Sequence, residues 1–371
     1  MVGPRGSRRV ALLQAALRAC GRPAAMQLDY ETLWDDPSRL AEALASCPGV
    51  MVKLESPGES PALHARLILR GWQSTTSHGL PPSGLAHGEL AHQHHWYAGL
   101  AELFATLPDN APYLNAPNDL LRMTDKLACQ QHLANAGLPI PALLGPIAGY
   151  EDMRERMRQH DCSQVFIKAR YGSSGAGVLA YRRRRDDREI AIGPIEWQTS
   201  AHGIHLFNAL RQQRYIKSTE IAPIVDALAK QGAYLEHWIP KPAVPGTRDN
   251  HYDLRVVALD GQPRQRIARI SRGPLTNLHL GNRRLPAETL LDPAALATLE
   301  SVTARAATAF TASRMIGFDL ILRSSRAWLL EANGFGDLLL NVHWAGRTTY
   351  EDQAMLVASR HAACTTEAAC G

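Results

Sequence analysis

Trp328-Leu329-Leu330-Glu331-Ala332-Asn333-Gly334, with Gly317-Phe318-Asp319-Leu320-Ile321 before it, is the stretch that decides the fold. Both runs are apolar enough to be strands. Side chains alternate between the faces of a strand, so Glu331 and Asn333 should project together, with Trp328, Leu330 and Ala332 on the opposite face. Together with Asp319 they offer three hard oxygen ligands, which Mg²⁺ bridges to substrate phosphates. The pattern therefore predicts a magnesium site that serves a nucleotide. Incidental polar residues at a strand end are the alternative for the Glu-x-Asn pair.

A second motif joins an apolar strand that ends at Lys168 to another apolar strand that begins at Val178. Glycines let backbone N–H groups approach an anion, and serine hydroxyls add donors. Because the lysine precedes the glycines and the spacing is G-x-x-G-x-G, neither a Walker A loop nor a dinucleotide fingerprint fits. We interpret the segment as a phosphate-binding flap, with a hairpin turn of no function as the alternative. The flap residues are Gly172, Ser173, Ser174, Gly175 and Gly177.

A third motif, Thr124-Asp125-Lys126-Leu127, opens a predicted helix that runs to Gly137, with Thr124 as its N-cap. A lysine in the first helical turn opposes the helix dipole unless an anion lies nearby. Proximity of Lys126 to a phosphate would remove that conflict. A solvated surface lysine is the alternative.

A fourth motif runs through 233–240, a predicted strand that leads into a loop, and 252–261, a predicted strand that ends in a turn. This succession is typical of a hinge between two lobes, where an extended backbone can pair with the edge of an adenine. Asp253 and Arg255 share one face of the second strand. The residues beyond them suggest a pocket for anionic groups. They are Arg269, Arg272, Asn277, His279, Arg283 and Arg284. For Arg272, Arg283 and Arg284, a solvated basic face is the alternative.

Taken in order, these motifs resemble the ATP-grasp superfamily, and most closely its branch of ribosomal-protein glutamate ligases and prokaryotic glutathione synthetases. The resemblance covers about residues 115 to 346. It rests on Asp125-Lys126, Ile167-Lys168 with its flap, Leu235-Glu236, Asp253-Leu254-Arg255, Thr276-Asn277-Leu278-His279, Asp319 and Glu331-Ala332-Asn333. It implies an α/β fold of the α+β grasp kind, with ATP between two subdomains. An α/β lobe over 1–114 would precede a small flap-bearing subdomain over 115–232 and a large metal-bearing subdomain over 233–371.

The resemblance also implies a role for each site residue. Residues 234–238 would form the adenine hinge, with Glu236 facing the exocyclic amine. Two Mg²⁺ ions, or Mn²⁺, would be held by Asp319, Glu331 and Asn333. Catalysis would fall to Arg255 and Arg269 at the transferred phosphoryl group, and to Asn277 beside the metal. The ATP-binding set would be Lys126, Lys168, Gly172, Ser173, Ser174, Gly175, Gly177, Glu236, His237 and Trp238.

The activity that the resemblance implies is an ATP-dependent carboxylate-amine ligase that works through an acyl phosphate and releases ADP and phosphate. The acid and the amine would be small molecules or peptides. No Cys/His, Ser/His/Asp or nucleophile-elbow pattern stands out, and ligation of this kind needs none. A small-molecule kinase and a nucleotide-binding regulatory or scaffold protein without turnover are the alternatives. Relatives often follow their Glu-x-Asn with a small residue, Pro and Gly, whereas Gly334-Phe335-Gly336-Asp337 follows here, so the substrate loop differs.

Composition favours a cytoplasmic enzyme. The 371 residues are 45% hydrophobic with a net charge of +5, which is modest and does not favour nucleic-acid binding. No apolar run reaches a membrane-spanning length, no signal peptide opens the chain, and six cysteines without a CxxC pair indicate reduced thiols. His92, His94 and His95 are spaced wrongly for one helical face, which favours ordinary histidines over a metal site.

Three further expectations concern the ends of the chain and its assembly. The first strand looks truncated because only Met1 and Val2 precede the Gly3-Pro4-Arg5-Gly6 loop, so the natural start would lie upstream. Residues 362–371 would form a loose tail. Relatives commonly assemble as dimers or tetramers, which makes a homo-oligomer one expected state.

Overall fold

A computed structural model describes residues 1–356 except 48, 77–78, 83, 173–174, 202 and 336–338, and leaves out the side chain of residue 279. The flap residues Ser173 and Ser174, the substrate-loop residues Gly336 and Asp337, and the tail at 362–371 therefore lie outside the described residues. None of the described helices is both long and apolar enough to cross a lipid bilayer. Four cysteines within the described residues are unpaired, namely Cys20, Cys47, Cys129 and Cys162.

The N-terminal lobe consists of helices around short parallel β-bridges. Val2 pairs with both Leu28 and Leu54, and Val52 pairs with Tyr113. Parallel pairing with helical connections is an α/β arrangement, as the sequence predicted. The helices are α1 (Arg8–Ala19), α2 (Tyr30–Asp35), α3 (Ser38–Ser46), α4 (Pro61–Thr75) and α5 (Gln93–Ala105).

Helices α4 and α5 are in backbone contact. A Cβ placed on Gly71 would lie 1.8 Å from the His95 carbonyl oxygen, and one on Gly99 would lie 2.1 Å from that of Leu67. Only glycine allows such an approach, so this helix pair is held in one rigid packing.

The first sheet is six-stranded and antiparallel, in the order β1-β6-β2-β3-β4-β5. Its core includes Met153, Ile167, Ile221, Ile224 and Leu235, all fully buried. The strands are β1 (Leu143–Pro146), β2 (Gln164–Lys168), β3 (Val178–Arg183), β4 (Glu189–Ser200), β5 (Gly203–Tyr215) and β6 (Tyr234–His237). Helices α8 (Tyr150–Gln159) and α9 (Ser218–Ala229) pack beside this sheet, whereas α6 (Pro117–Thr124) and α7 (Lys126–Asn135) contact the strand Arg326–Asn333 of the second sheet.

The second sheet is five-stranded and antiparallel, in the order β11-β10-β7-β8-β9, and α10 packs against it. Fully buried Leu254, Val256, Phe318, Leu320 and Leu329 fill its core. Its elements are β7 (His251–Leu259), β8 (Gln262–Ser271), β9 (Arg283–Pro286), α10 (Pro293–Thr308), β10 (Met315–Arg323) and β11 (Arg326–Asn333).

Strand β6 lies between β1 and β2 of the first sheet. A subdomain boundary at residue 232 would separate β6 from both hydrogen-bonded neighbours. We therefore propose that the junction between the two subdomains follows His237, in the connection to β7.

Two local predictions are wrong. The N-cap of α7 is Asp125, whose carboxylate accepts from the Ala128 N–H, whereas Thr124 ends α6 with its hydroxyl bonded to the Leu120 carbonyl. An Asp carboxylate is a favourable acceptor for the free N–H groups at a helix N-terminus. The Thr124 hydroxyl instead hydrogen-bonds to a carbonyl of its own helix, α6.

The second error concerns Leu330, which was expected to face away from Glu331. The pairing shifts between Asp319↔Glu331 and Leu320↔Leu329, which makes Leu330 the extra residue of a β-bulge. The bulge interrupts the alternation, and Leu330 lines the same cleft as Glu331.

Candidate active site

A cleft lies where the first sheet meets the second. Strands β2 and β6 supply one wall, strands β7, β8, β10 and β11 the other, and the start of α7 closes one end. The cleft brings together predicted residues that are far apart in sequence. They are Lys126, Lys168, Gly175, Glu236, His237, Arg269, Asn277, Asp319 and Glu331.

The other predicted residues lie elsewhere. Gly172, Gly177, Arg255 and Asn333 line a second cavity that adjoins the cleft. Trp238 lines neither space, because its ring packs 5.2 Å from that of Phe166 and 5.1 Å from the Arg182 guanidinium. Arg272, Arg283 and Arg284 are exposed, in agreement with the solvated alternative.

Lys126 connects the flap to the second sheet. Its Nζ donates to the Gly172 carbonyl at 2.5 Å and lies 3.7 Å from Glu331 Oε1. The side chain is almost completely buried, so its charge is poorly solvated and depends on these partners. Asp125 holds the same junction, because its carboxylate accepts from Arg170 Nη2 at 2.6 Å. The start of α7 is therefore fixed against the flap.

Lys168 and Glu236 form a buried ion pair across strands β2 and β6, with 2.5 Å between Nζ and Oε1. Phe166 pairs with Glu236, and Lys168 with Tyr234, so the two charges are diagonal neighbours on one face. Burial raises the pKa of the Glu236 carboxyl, although Lys168 opposes that shift. Among the described residues, Glu236 Oε2 has no hydrogen-bond partner. A buried acceptor at this position suits an N–H donor on a ligand.

A chain of alternating buried charges crosses the second sheet. Lys241 Nζ lies 3.0 Å from Asp253 Oδ2, and Asp253 Oδ1 accepts from Arg269 Nε at 2.8 Å. Arg269 Nη2 lies 3.0 Å from Asp319 Oδ2, while Arg255 donates to Asp319 through Nε and, at 3.1 Å, through Nη2. Carboxylates therefore fix the orientation of Arg255 and Arg269, the two arginines that were predicted to face a phosphoryl group.

These contacts shift the ionisation of the chain. Burial raises the pKa of Asp253, but Arg269 and Lys241 outweigh burial and hold that pKa well below its usual range. Burial lowers the pKa of Arg269, but Asp253 and Asp319 outweigh it, so the guanidinium stays charged. The positive charge at the cleft is therefore permanent near neutral pH.

Lys241 is a site residue that the sequence did not reveal. Its side chain is largely buried, lines the cleft, and donates to Thr276 Oγ1 at 2.8 Å besides pairing with Asp253. The only sequence signal is a lysine between two prolines in Ile239-Pro240-Lys241-Pro242, just after the hinge strand.

The donor chemistry of the predicted metal ligands fits Mg²⁺. Asp319 and Glu331 are directly paired across β10 and β11, and Asn333 is paired with Gly317 two positions on. No three His, Cys, Asp or Glu side chains within the described ranges are arranged to hold a metal. A complete shell at this point would therefore need the Asn333 amide together with phosphate or water oxygens, as Mg²⁺ prefers. Arg255 and Arg269 already contact Asp319, so they would compete with such a metal for its carboxylate.

The second cavity adjoins the cleft through Arg269, Asn277 and Glu331, which line both spaces. Its volume is about 550 Å³. Phe335 is anchored there because Arg9 Nη1 donates to its carbonyl at 2.9 Å. The N-terminal lobe contributes the far wall through Arg9, Ser56, Gly58, His64, Gln93 and Trp96.

The histidines at the start of α5 are His92, His94 and His95. They line neither the cleft nor the second cavity. The His95 ring lies 3.8 Å from the tilted ring of His94 and stacks 5.6 Å from that of His92. Thr76 Oγ1 lies 3.3 Å from the Nε2 of His95. Burial, with smaller effects of His94 and His92, lowers the pKa of His95 to about 4. His95 is therefore neutral near pH 7.

No protein-family model matches the chain, and no curated protein matches it. Solved structures do match over almost the whole length. D-cycloserine synthetase DcsG aligns at 15% identity and a TM-score of 0.55, covering 96% of this chain and 98% of its own. ATP-grasp ligase PsnB, complexed with a minimal precursor, aligns at 15% identity and a TM-score of 0.52, covering 97% of each chain. Macrocyclase MdnC from Microcystis aeruginosa MRC, bound with precursor peptide MdnA, aligns at 13% identity and a TM-score of 0.53, covering 97% of this chain and 100% of its own.

The chain has the ATP-grasp fold. The resemblance to the ATP-grasp superfamily that the sequence motifs predicted is confirmed at the level of the fold. Assignment to the branch of glutamate ligases and glutathione synthetases stays a prediction.

Proposed function

We propose that this protein is an ATP-dependent ligase that activates a carboxylate as an acyl phosphate and joins it to an amine. One observation carries the proposal: Lys126, Lys168 and Glu236 from one side and Asp319 and Glu331 from the other line a single cleft. The cleft thus combines cations that suit a triphosphate, a hydrogen-bond acceptor for a nucleotide base, and hard oxygen ligands for Mg²⁺. ADP and phosphate would be the by-products.

The nucleotide would occupy the cleft between the sheets. Glu236 Oε2 would accept from the exocyclic amine of adenine, and Lys126 and Lys168 would contact the phosphates beneath the flap. The cleft has a volume of only about 80 Å³, below the 300–1,000 Å³ typical of ligand pockets. The Lys168–Glu236 ion pair that lines it must therefore rearrange when a nucleotide enters.

Mg²⁺ at Asp319, Glu331 and Asn333 would neutralise charge on the phosphates during transfer. We propose two ions, with Mn²⁺ as a substitute. Arg255 and Arg269, already oriented by Asp319 and Asp253, would face the phosphoryl group that moves onto the carboxylate. Their fixed orientation supports electrostatic stabilisation without reorganisation at the moment of reaction.

The acid and the amine would meet in the second cavity, beside Glu331 and Asn333. A volume of about 550 Å³ accommodates a molecule larger than a single amino acid. Of the similar structures, macrocyclase MdnC is described as bound with a precursor peptide and ligase PsnB as complexed with a minimal precursor, which supports a peptide as one substrate class. A small molecule remains the other class.

The test is a screen for ADP release with Mg²⁺-ATP and paired carboxylates and amines, followed by mass spectrometry of the product. A ligase releases ADP with free phosphate and yields a condensed product. A stable phosphorylated acid instead would identify a small-molecule kinase. Calorimetric binding of ATP with no ADP release across the panel would identify a nucleotide-binding protein without turnover.

A further inference from the structure

We infer that His64 accepts the proton of the attacking amine in the second cavity. This inference rests on the proposed ligase function and adds a catalytic residue from the N-terminal lobe, outside every sequence motif described above. His64 lines the same cavity as Glu331, Asn333 and Arg255, where the acyl phosphate would form.

The composition of the cavity leaves few alternatives for this role. Among its described lining residues, Glu331 is the only carboxylate and His64 the only imidazole. Glu331 belongs to the proposed metal site, so its oxygens are not free to take a proton. Burial raises the pKa of the Tyr171 phenol, which makes it a poor proton acceptor. The remaining charged groups are the arginines Arg9, Arg255 and Arg269, which carry permanent positive charge.

The same composition argues against an ammonium ion as the bound form of the nucleophile. Three guanidinium groups and a metal-bound carboxylate make the cavity favourable for the acid and the acyl phosphate, and unfavourable for a cation. The amine must therefore react in its neutral form and lose its proton during or after attack. A neutral acceptor meets that need without adding charge to the cavity.

The His64 imidazole is free to act. Its ring nitrogens have no hydrogen-bond partner within the described part of the chain, and its ring lies 6.1 Å from that of Trp96. Burial lowers the pKa of His64 below its ordinary value, so the imidazole is neutral near pH 7. His95, by contrast, is buried outside the cavity and contacts Thr76.

The position of His64 is rigid. It lies on α4, and α4 is locked against α5 by the glycine contacts at Gly71 and Gly99. A proton acceptor on a rigid element keeps the geometry that proton transfer requires.

The step balances as follows. The amine nitrogen forms a bond to the acyl carbon, the bond from that carbon to the phosphate oxygen breaks with its electron pair, and phosphate leaves. One N–H proton moves to the free ring nitrogen of His64. The imidazolium then returns the proton to phosphate or solvent.

The experiment compares wild type, H64Q and the control variant H94Q. His94 is an exposed histidine on the neighbouring helix that does not line the cavity. The probes are Mg²⁺-ATP with the standard amino acids as acids and amines, and hydroxylamine as a second nucleophile. Hydroxylamine is a weak base, and its adduct loses a proton to water without help. It therefore reports acyl phosphate formation alone.

We expect H64Q to lower amide formation by about 10²–10⁴-fold while hydroxamate formation and ATP affinity stay close to wild type. H94Q should match wild type in both assays, and added imidazole should partly restore amide formation by H64Q. Unchanged amide formation by H64Q would overturn the inference. An equal loss of amide and hydroxamate would also overturn it, because His64 would then act on structure or on activation. Absence of ADP release by wild type, both with these probes and across the full panel of carboxylates and amines, would refute the ligase function itself.

Discussion

Replacement of Lys168 by methionine should separate the stability of the fold from nucleotide binding. At 2.5 Å and an effective dielectric constant of about 20, the gross attraction between Lys168 and Glu236 is about 7 kcal/mol. Desolvation costs several kcal/mol for each ion, and burial dominates the raised pKa of Glu236. The pair therefore contributes little net stability. Removal of Lys168 alone leaves a buried carboxylate without a counterion.

We expect K168M to lower the free energy of unfolding by about 3 kcal/mol, near the lower end of the usual range because Glu236 can take up a proton. The double variant K168M/E236M should recover most of that loss, because two apolar side chains replace two buried charges. ATP binding should weaken in both variants, since both lose one of the two lysines proposed to contact the phosphates and keep only Lys126.

The assays are urea unfolding at pH 7 and calorimetric titration with Mg²⁺-ATP. Replacement of the exposed Lys217 by methionine is the matched control and should change neither quantity. A double variant as unstable as K168M, or a K168M variant that binds ATP like wild type, would refute the reasoning.

Three further predictions follow from the site. E331Q should lower kcat by about 10²-fold or more while ATP affinity in calorimetry stays near wild type, since a metal ligand is lost and the hinge is kept; undiminished turnover would exclude Glu331 from the metal site. D253N should lower the free energy of unfolding by about 3–5 kcal/mol at pH 7, because two buried cations lose their partner. The folded-state pKa of Asp253 is lowered, so its contribution is present above the unfolded value of about 3.9 and is lost as the pH falls through the folded value. The free energies of unfolding of wild type and D253N, measured in urea, should therefore differ less as the pH falls below about 4. A difference that stays constant with pH would contradict the lowered pKa of Asp253. G177A should be destabilised by more than the ~1 kcal/mol of left-handed strain alone, because the new Cβ would lie 2.6 Å from Ala169 Cβ. G232A, with φ of +80° and nothing within 4 Å of the new Cβ, isolates that strain, and equal melting temperatures for the two variants would rule out the contact.

Sequence reasoning succeeded where a motif has a fixed local geometry. The motif around Asp319 and Glu331 predicts that their side chains come together, and the structure pairs these two residues directly. Lys168 ends β2 as its apolar run predicts, and a hairpin loop follows. The order of the motifs predicted the ATP-grasp fold, which the structural comparisons confirm.

Sequence reasoning failed where a long-range contact or a local irregularity decides. The bulge at Leu330 breaks an alternation that looks regular in the sequence, because register depends on the partner strand. Lys241 reaches the cleft only because Asp253 and Thr276 stabilise its buried charge, and neither contact has a fixed sequence spacing. His64 and Trp96 enter the second cavity through the packing of an entire lobe.

The sequence also did not predict the ion pairs of the two arginines that were expected to be catalytic. Arg255 and Arg269 were expected to face a phosphoryl group, and the structure directs both toward Asp319. Carboxylates on neighbouring strands hold these guanidinium groups in position. Which carboxylate meets which arginine depends on the register of β7, β8 and β10, which the sequence alone does not give. The roles of both arginines in catalysis stay predictions.

The most direct test of the central claim uses the acid found in the ADP-release screen, labelled with ¹⁸O in its carboxylate. Activation through an acyl phosphate transfers one carboxylate oxygen to the departing phosphate. Mass spectrometry of the released phosphate should therefore detect one ¹⁸O atom per turnover. Release of unlabelled phosphate alongside the condensed product would contradict the account.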